Sequence, residues 1–521
     1  MGLYLGLDSS TQSLSALIID TDSGRVVVDE SVNFGKALPQ YGSPSGFLPH
    51  EDPQLKHADP LMWVEALDLL LGQLKAKGVD FSAIAGISGA GQQHGSVYLA
   101  QKLDSIPAWD TSRDLAPQVR PLLSRPTAPI WMDSSTSAEC REIAAAVGGD
   151  ARVVALTGSR AIERFTGAQI RAFAKRDAAA YGRTREIHLV SSFMASLLIG
   201  KCAPIDQGDG AGMNLLELAT GAWSPALVQA TAEGLSDKLP PVVASRTVVG
   251  EVADYFVQRY GFKRGTPVLA FTGDNPSSLV GMGATEPGTA VISMGTSDTV
   301  FAAMREPRTD PRGFGHVFGN PAGGFMCLIC FANGSLAREK VAEKVGLSWP
   351  AFERAILEET QPGNQGNLLL PFFIPEMTPK LLTPQVELFG SERFRAWQEP
   401  AALARAIVEA QALSMQRHSD WIGERPRIIR VTGGASKNRG IRQVLADVFG
   451  AEIRGLAVGN SSGLGGALRA AEAVGKVGFS TLYEQFAATD PSQSTSPSAG
   501  ATERYGELRS RLIERLAALG A

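Results

Sequence analysis

Residues 8–12 form a short polar turn, Asp-Ser-Ser-Thr-Gln, directly after the apolar residues 3–7. Backbone N–H groups that converge in a tight turn form, together with Ser and Thr hydroxyls, a concave site for an anion such as phosphate. The carboxylate of Asp8, at the end of the predicted strand, suits Mg²⁺, which binds carboxylates, water and phosphate oxygens. An ordinary Asx or Ser/Thr turn is the alternative interpretation, because such turns are common.

A second polar turn, Gly295-Thr296-Ser297, follows the apolar residues 289–294 about half a chain later. Gly295 allows the backbone torsions that let neighbouring N–H groups converge, and the two hydroxyls supply further donors. Two such turns at equivalent points of the chain favour a phosphate-binding function more strongly than either turn alone.

A third turn, Gly433-Gly434-Ala435-Ser436-Lys437-Asn438, lies between a predicted strand over 427–431 and a predicted helix over 438–449. Its glycines let the backbone approach a flat or anionic group, and the N-terminus of a helix favours negative charge. A tight strand-to-helix connection without a ligand explains the same residues equally well. The chain has no GxxxxGK[ST] motif, and its glycine clusters have the wrong spacing for a dinucleotide fingerprint.

Asp274 is the candidate general base. It follows the apolar residues 267–271 in the run Thr-Gly-Asp-Asn-Pro, at the end of a predicted strand, where open α/β sheets bind their ligands. A carboxylate there can accept the proton of a substrate hydroxyl while a γ-phosphate arrives in line. Alternatively, Asp274 caps a helix that begins near Pro276; both interpretations can hold, since Asn275 can also cap.

The loop Gln92-Gln93-His94-Gly95 follows a short predicted strand over residues 84–88. Its amide and imidazole groups provide directional donors and acceptors, which a polyhydroxylated substrate requires. A lone histidine, however, is more often a structural residue that the core satisfies. Arg164, taken alone, could be a surface charge or a helix ion-pair partner, which is the usual case for an arginine.

The elements that must position these residues follow an α/β pattern. Alternating or continuous apolar residues predict strands over 14–19 and 25–32, and helical spacing predicts a helix over 60–77. Because a strand over 299–304 follows the second turn, the order of strand, polar turn and strand occurs twice. We therefore predict two similar α/β halves that face each other across a cleft.

Toward the C-terminus, residues 400–421 and the final stretch have helical spacing, whereas the polar residues 487–501 predict a loop. Cys327 and Cys330 lie within an apolar run that predicts a buried strand, because no further cysteine pair or nearby histidine completes a metal site.

Composition excludes several classes of function. The 521 residues carry a net charge of −4, which provides no basic field for nucleic acid or an anionic membrane. The apolar residues 189–199 are too short for a membrane span and hold three serines. Four cysteines in so long a chain do not form a disulfide framework, and the N-terminus lacks the pattern of a signal peptide. We expect a cytoplasmic protein with no nucleic-acid or membrane partner.

The polar segments together resemble the FGGY carbohydrate kinases, a family grouped with actin, hexokinases and heat-shock chaperones. The resemblance runs in order through nearly the whole chain. It implies an α/β fold of two actin-like, ribonuclease H-like domains with a central cleft, which we place at residues 1–284 and 285–521. The segments that carry it are Leu7-Asp8-Ser9-Ser10-Thr11-Gln12, Gln93-His94-Gly95, Asp209-Gly210-Ala211-Gly212-Met213-Asn214, Gly273-Asp274-Asn275 and Gly295-Thr296-Ser297.

The resemblance is strongest to the eukaryotic members that act on D-xylulose, and it implies transfer of the γ-phosphate of ATP to the C5 hydroxyl of that ketose. Asp274 would be the base, and Asp8 would position Mg²⁺ or the phosphate. The residues implied to hold the sugar are Gln93, His94, Arg164, Asp274 and Asn275. Those implied to bind the nucleotide are Ser10, Thr11, Gln12, Gly295, Thr296, Trp349, Gly434, Ala435 and Asn438. Position 14 is Leu where many members carry Lys or Arg. The phosphate site therefore has one positive charge fewer, and Mg²⁺ is expected to contribute more to phosphate binding.

Two other functions stay open. The sugar could be another ketose or polyol, such as ribulose or glycerol, because few side chains separate these substrates. A chaperone-like nucleotide-binding module would need only the phosphate turns, and the sugar-type residues Gln93, His94 and Asp274 argue against it. The expected small-molecule partners are a sugar and ATP, and the expected assembly is a monomer or a homodimer.

Overall fold

The computed structural model describes residues 2–456 and 459–519. They form two compact units, each assembled from separate segments of the chain. Unit 1 contains Met1–Thr285, Val317–Phe325 and Gly459–Ala487, and unit 2 contains Glu286–His316, Met326–Val458 and Ala488–Ala521. The domain boundary expected between residues 284 and 285 stays a prediction.

Strands occur throughout the described residues. They are β1 (Leu3–Ser9), β2 (Ser13–Asp20), β3 (Arg25–Asn33), β4 (His57–Ala58), β5 (Ile84–Gly91), β6 (Ser96–Leu99), β7 (Ala128–Pro129), β8 (Glu186–Leu189), β9 (Ile205–Asp206), β10 (Leu216–Glu217), β11 (Ala222–Trp223), β12 (Val242–Val243), β13 (Val248–Glu251), β14 (Pro267–Leu269), β15 (Thr272–Gly273), β16 (Thr289–Met294), β17 (Asp298–Met304), β18 (His316–Gly319), β19 (Phe325–Phe331), β20 (Leu368–Phe372), β21 (Gln385–Phe389), β22 (Ile428–Thr432), β23 (Glu452–Leu456) and β24 (Thr489–Thr495).

Helices alternate with these strands. They are α1 (Phe34–Ala37), α2 (Pro60–Ala76), α3 (Leu115–Val119), α4 (Ser137–Val147), α5 (Asp150–Thr157), α6 (Thr166–Arg176), α7 (Ala178–Arg183), α8 (Val190–Ile199), α9 (Gln207–Gly210), α10 (Pro225–Thr231), α11 (Asp254–Tyr260), α12 (Asp274–Gly281), α13 (Ser335–Lys344), α14 (Trp349–Arg354), α15 (Glu392–Arg395), α16 (Pro400–Ser419), α17 (Arg439–Phe449), α18 (Ser461–Ala473), α19 (Phe479–Phe486) and α20 (Ala501–Ala518).

A mixed sheet with the strand order β13-β14-β5-β1-β2-β3 forms the centre of unit 1, and β15 also pairs with β5. Its middle strand β1 is antiparallel to β2 and parallel to β5. Almost every residue of β1 is buried, as expected of a strand that is covered on both faces. Helix α2 contributes Leu67 and Leu71 to the core beside the sheet, and the Asp59 side chain caps its N-terminus by accepting from Leu61 N at 2.9 Å.

The glycine-rich helix α18 packs directly on this sheet and on α12, although it lies far along the chain. A Cβ atom at Gly6 of β1 would overlap the carbonyl oxygen of Gly463, and one at Gly465 would overlap the carbonyl oxygen of Ser277. Only glycine allows backbones to approach so closely. The same helix carries the fully buried Arg469, whose guanidinium donates to Gly89 O at 2.6 Å.

The sheet that contains β16 repeats the arrangement around β1. Its strand order is β18-β19-β17-β16-β22-β23-β24. Strand β16 is antiparallel to β17 and parallel to β22, as β1 is to β2 and β5. The predicted repetition of strand, turn and strand is therefore confirmed, and so is the α/β class.

Most predicted elements are found within a few residues of their expected bounds, with two corrections. The predicted loop over 487–501 contains β24, which pairs antiparallel with β23. Its sequence, Thr-Asp-Pro-Ser-Gln-Ser-Thr, is polar because this edge strand buries few side chains, so no apolar alternation announces it. In addition, α12 begins at Asp274 rather than near Pro276.

The two apolar segments considered as a membrane span and as a metal site both form buried elements of the fold. Residues 190–199 form α8, all of whose residues are buried in unit 1. Within the described ranges, no helix has the length and apolar character needed to cross a membrane. Cys327 is fully buried in β19, which confirms the predicted strand, while Cys330 is partly exposed.

The variant Gly6→Ala tests the packing of α18 on β1. We expect it to lose about 1–3 kcal/mol of unfolding free energy or more, because the new methyl group meets a backbone oxygen that cannot move aside. Urea denaturation measures the loss. Gly72→Ala in α2 is the control: it meets no atom within 4 Å and should gain up to about 1 kcal/mol. Equal stability of the two variants would contradict the packing argument.

Candidate active site

The sheet of unit 1 brings Asp8 and Asp274 to one edge. Ser9 of β1 and Gly273 of β15 both pair with Gly91, from opposite sides of β5. Because all three strands are parallel, their carboxyl ends meet at the same edge. Asp8 immediately precedes one of these paired residues, and Asp274 immediately follows the other.

The two carboxylates influence each other electrostatically. Burial and the negative charge of Asp274 raise the pKa of Asp8 to about 7. Its Oδ1 atom is buried and has no hydrogen-bond partner among the described residues. Burial also raises the pKa of Asp274 to about 6, although the Asn275 N–H, 2.8 Å from Oδ1, stabilises the charged form. Both groups can therefore exchange protons near neutral pH.

Asn275 and Gln93 form an amide pair beside Asp274. The Asn275 Nδ2 atom donates to Gln93 Oε1 at 2.7 Å and to Asp274 Oδ1 at 3.2 Å. The Gln93 Nε2 atom is buried and has no partner in the part of the chain that the structure describes. An unpaired buried amide of this kind is a ready donor for a ligand oxygen.

His94 is held as a neutral imidazole in one tautomer. Its Nδ1 atom lies 2.8 Å from Gly212 O, and since a carbonyl oxygen only accepts, Nδ1 carries the hydrogen and Nε2 is left as an acceptor. Burial and the positive charge of Arg164 lower the pKa of His94 to about 3. The ring packs on Phe165 with centroids 4.4 Å apart. The structural interpretation of His94 thus holds for Nδ1 and leaves Nε2 available.

Arg164 lines a small cavity of about 240 Å³ together with Trp131 and Asp133. Trp131 Nε1 donates to Thr11 Oγ1 at 2.8 Å, so the wall of this cavity is joined to the first polar turn. In that turn the Ser10 N–H and hydroxyl both donate to Ser13 O at 2.9 Å. Ser10 is therefore engaged within the turn itself, whereas Gln12 is exposed.

One candidate, Asp209, received no role from the sequence, although it lies in a segment that carries the family resemblance. It is fully buried, its Oδ2 atom accepts from Ser191 Oγ at 2.5 Å, and its Oδ1 atom has no partner among the described residues. Burial raises the pKa of Asp209 well above its usual range, and the charges of Asp206 and Asp274 add to this effect. Apart from that segment, the sequence signal was an acidic residue within a glycine-rich run.

In unit 2, the two glycine turns meet at one sheet edge. Gly295 and Thr296 follow β16, and Gly434 and Ala435 follow its parallel neighbour β22. Gly433 has φ of 91°, and a Cβ there would overlap Met294 O, the last residue of β16. The turns are therefore adjacent, and Thr296 is exposed.

The remaining nucleotide candidates lie at two linked helix starts. Asn438 caps α17, its Oδ1 atom accepting from Ile441 N at 3.0 Å. The next residue, Arg439, donates its N–H to Glu353 Oε2 at 2.7 Å. Glu353 belongs to α14, which begins with the exposed ring of Trp349. This contact ties the helix of Trp349 to the helix of Asn438.

The raised pKa of Asp8 makes a prediction for stability. The folded state keeps this proton up to about pH 7, whereas an unfolded aspartate loses it near pH 4. Asp8 therefore contributes stability that is complete below about pH 4 and is lost as the pH rises through about 7. We expect Asp8→Asn to reduce the fall in unfolding free energy between these limits by roughly 2–4 kcal/mol.

Urea titrations at a series of pH values measure this difference in slope. Asp22→Asn, at an exposed carboxylate in the turn between β2 and β3, is the control and should follow the wild type. If the Asp8→Asn curve ran parallel to the wild-type curve at every pH, Asp8 would not carry the proton.

Comparisons with known proteins identify the family of this chain. Models of the N-terminal and C-terminal domains of the FGGY family of carbohydrate kinases match residues 118–281 and 290–474. A xylulose kinase of Rattus norvegicus is 42% identical over 98% of this chain and 97% of its own. Two solved structures from Lactobacillus acidophilus, a ligand-bound xylulose kinase at 19% identity and a gluconate kinase at 20%, both have TM-scores of 0.81. They cover all of this chain and 99% and 98% of their own. The chain belongs to the FGGY family of carbohydrate kinases.

Proposed function

We propose that this kinase transfers the γ-phosphoryl group of ATP to the C5 hydroxyl of D-xylulose, giving D-xylulose 5-phosphate. The observation that carries the choice of sugar is the 42% identity to the rat xylulose kinase over nearly both chains. The fold itself does not select the sugar, because structures of a xylulose kinase and a gluconate kinase match equally well.

Asp274 is the proposed base. Its Oδ1 atom accepts from Asn275 N and Nδ2, and a backbone hydrogen bond from Gln93 also stabilises the charged form; we assign to Oδ2 the proton of the sugar hydroxyl. With a pKa of about 6, the carboxylate is largely ionised at neutral pH and still basic enough to take a proton. Removal of the proton makes the hydroxyl oxygen a stronger nucleophile toward phosphorus.

The sugar would be held by a mixture of donors and one acceptor. Gln93 Nε2 and the guanidinium of Arg164 donate hydrogen bonds, whereas His94 Nε2 accepts one. A polyol offers both lone pairs and hydroxyl hydrogens, so it can satisfy all three groups. A wrong sugar that left the buried Gln93 Nε2 or His94 Nε2 atom without a partner would lose binding energy, and we assign selectivity to this loss.

The residues present also fit Mg²⁺. Asp8 offers a buried carboxylate oxygen that has no hydrogen-bond partner within the described ranges and is close to a second negative group, an arrangement that a cation relieves. When bound, the ion would neutralise charge on the phosphates. Asp8 would bind the Mg²⁺ ion, and the turn with Ser10, Thr11 and Gln12 would contact the phosphates. In unit 2, Gly295, Thr296, Gly434 and Ala435 would bind the nucleotide phosphates, and Trp349 and Asn438 the adenosine part.

The same proposal includes the setting of the reaction. The partners would be the sugar and ATP alone, in a cytoplasmic enzyme that acts as a monomer or a homodimer. Size-exclusion chromatography with light scattering distinguishes the two assemblies.

Replacement of the base provides the test of mechanism. We expect Asp274→Asn to lower kcat by roughly 10²–10⁴-fold while D-xylulose still binds, because the amide keeps the shape but cannot take the proton. Coupled ADP-release assays and calorimetry measure the two effects. Asp254→Asn is a matched control, since Asp254 is likewise the first residue of a helix but is exposed. Wild-type turnover by Asp274→Asn would exclude Asp274 as the base.

The choice of sugar is tested separately with the wild-type enzyme. In the same ADP-release assay we expect kcat/KM for D-xylulose to exceed that for ribulose, glycerol and gluconate by at least roughly tenfold, which is the lower end of the discrimination that a single methylene group provides. A higher value for any other sugar would replace D-xylulose in the proposal and leave the kinase reaction in place.

A further inference from the structure

A cluster of potential metal ligands lies around β8 of unit 1. Glu186 and His188 are two residues apart in this strand and therefore project from the same face. Helix α8 begins directly after β8, and Cys202 lies three residues beyond the end of α8. One carboxylate oxygen, one imidazole nitrogen and the thiol sulfur of these residues all lie within 4.8 Å of one another.

We propose that Glu186, His188 and Cys202 bind one thiophilic divalent cation, of which Zn²⁺ is the representative. Zinc sites in proteins use thiolate, imidazole and carboxylate ligands. Magnesium prefers oxygen ligands alone, so this ligand set differs in chemistry from the site proposed at Asp8.

The spacing of two ligand atoms supports the proposal. His188 Nε2 lies 3.3 Å from Glu186 Oε2, which is long for a charge-assisted hydrogen bond. Two ligands bound to zinc at about 2.0–2.1 Å in a tetrahedron are separated by about 3.3–3.4 Å. The strand thus holds His188 Nε2 and Glu186 Oε2 at the distance expected between two ligand atoms of a tetrahedral zinc site.

Neighbouring polar groups orient both ligands. His188 Nδ1 lies 3.3 Å from Ser192 Oγ, so a hydroxyl is in place to accept the Nδ1 hydrogen while Nε2 faces the metal. The Leu103 N–H donates to Glu186 Oε2 at 3.1 Å. Zinc-binding histidines and carboxylates are typically supported in this way.

Burial and access are also suitable. His188 and Glu186 are buried, whereas Cys202 is partly exposed, so solvent reaches the cluster from the side of the thiol. The thiolate is the ligand, so binding of the cation displaces the thiol proton, which passes to the buffer. Three protein ligands leave a fourth tetrahedral position for water.

Without a metal, the same three side chains would form a hydrogen-bonded chain centred on the Glu186 carboxylate. The two arrangements differ in one measurable respect: only a bound cation creates a metal–thiolate bond. Cobalt is a suitable probe, because Co²⁺ occupies zinc sites and its bond to a thiolate absorbs strongly.

The experiment titrates tag-free, chelator-treated full-length protein with Co²⁺ and then with Zn²⁺. We expect one cobalt ion per chain, a thiolate-to-cobalt absorption band, and loss of the band when zinc displaces cobalt. Cys202→Ser should abolish the band and weaken zinc binding, measured by calorimetry, by at least roughly tenfold. Cys330→Ser, at the partly exposed cysteine of β19, is the matched control and should keep both signals.

Alkylation of the wild-type protein gives a second readout that does not depend on how the variants fold. Zinc should protect Cys202 from a maleimide, as peptide mass spectrometry detects, while the modification of Cys330 stays unchanged. The absence of a stoichiometric cobalt band, equal zinc affinity in Cys202→Ser, or equal alkylation of Cys202 with and without zinc would each overturn the proposal.

Discussion

The backbone-to-backbone packing of α18 on β1 and α12 is the constraint on which the candidate site of unit 1 depends. Gly6 lies two residues before Asp8, and Ser277 lies in the first turn of the helix that Asp274 begins. Both touch glycines of α18. Because no side chain separates the three backbones, neither the strand that carries Asp8 nor the helix that begins at Asp274 can shift without moving α18. The fold thereby keeps two like charges together that would separate in a flexible chain.

This rigidity has an electrostatic consequence. Burial destabilises the ionised forms of Asp8, Asp209 and Asp274. A buried cation is present nearby, but its charge acts on Asp206: Arg469 lowers the pKa of that carboxyl, against the larger effect of burial. The carboxylates of Asp8, Asp209 and Asp274 are therefore available to bind a proton or an external cation. The proposed roles of Asp274 as a base and of Asp8 as a metal ligand would benefit from such incomplete neutralisation, because a structural ion pair would already have used the charge.

The sequence revealed those parts of the structure that are local. The strand and turn around Asp8 and the similar pair around Gly295 each have their own signal in consecutive residues. The parts it did not reveal depend on contacts between distant segments. Nothing within residues 461–473 indicates that this helix belongs with β1, and Asp209 acquires significance only from Ser191 and Asp274. Strand β24 is set by pairing with β23, which its polar sequence does not announce.

Since kinases for different sugars share this fold, selectivity must arise from the hydrogen-bonding character of a few side chains. The fixed tautomer of His94 is the clearest case. Its Nδ1 hydrogen is committed to Gly212 O, and its low pKa prevents a second proton from binding at Nε2. In the proposed sugar site, Nε2 would therefore require a donor from the ligand. A sugar hydroxyl supplies one, whereas a carboxylate at the same position would place its lone pairs against that of the nitrogen. Held in this way, a histidine that binds the sugar as proposed would favour a neutral polyol over a sugar acid without any change in the fold.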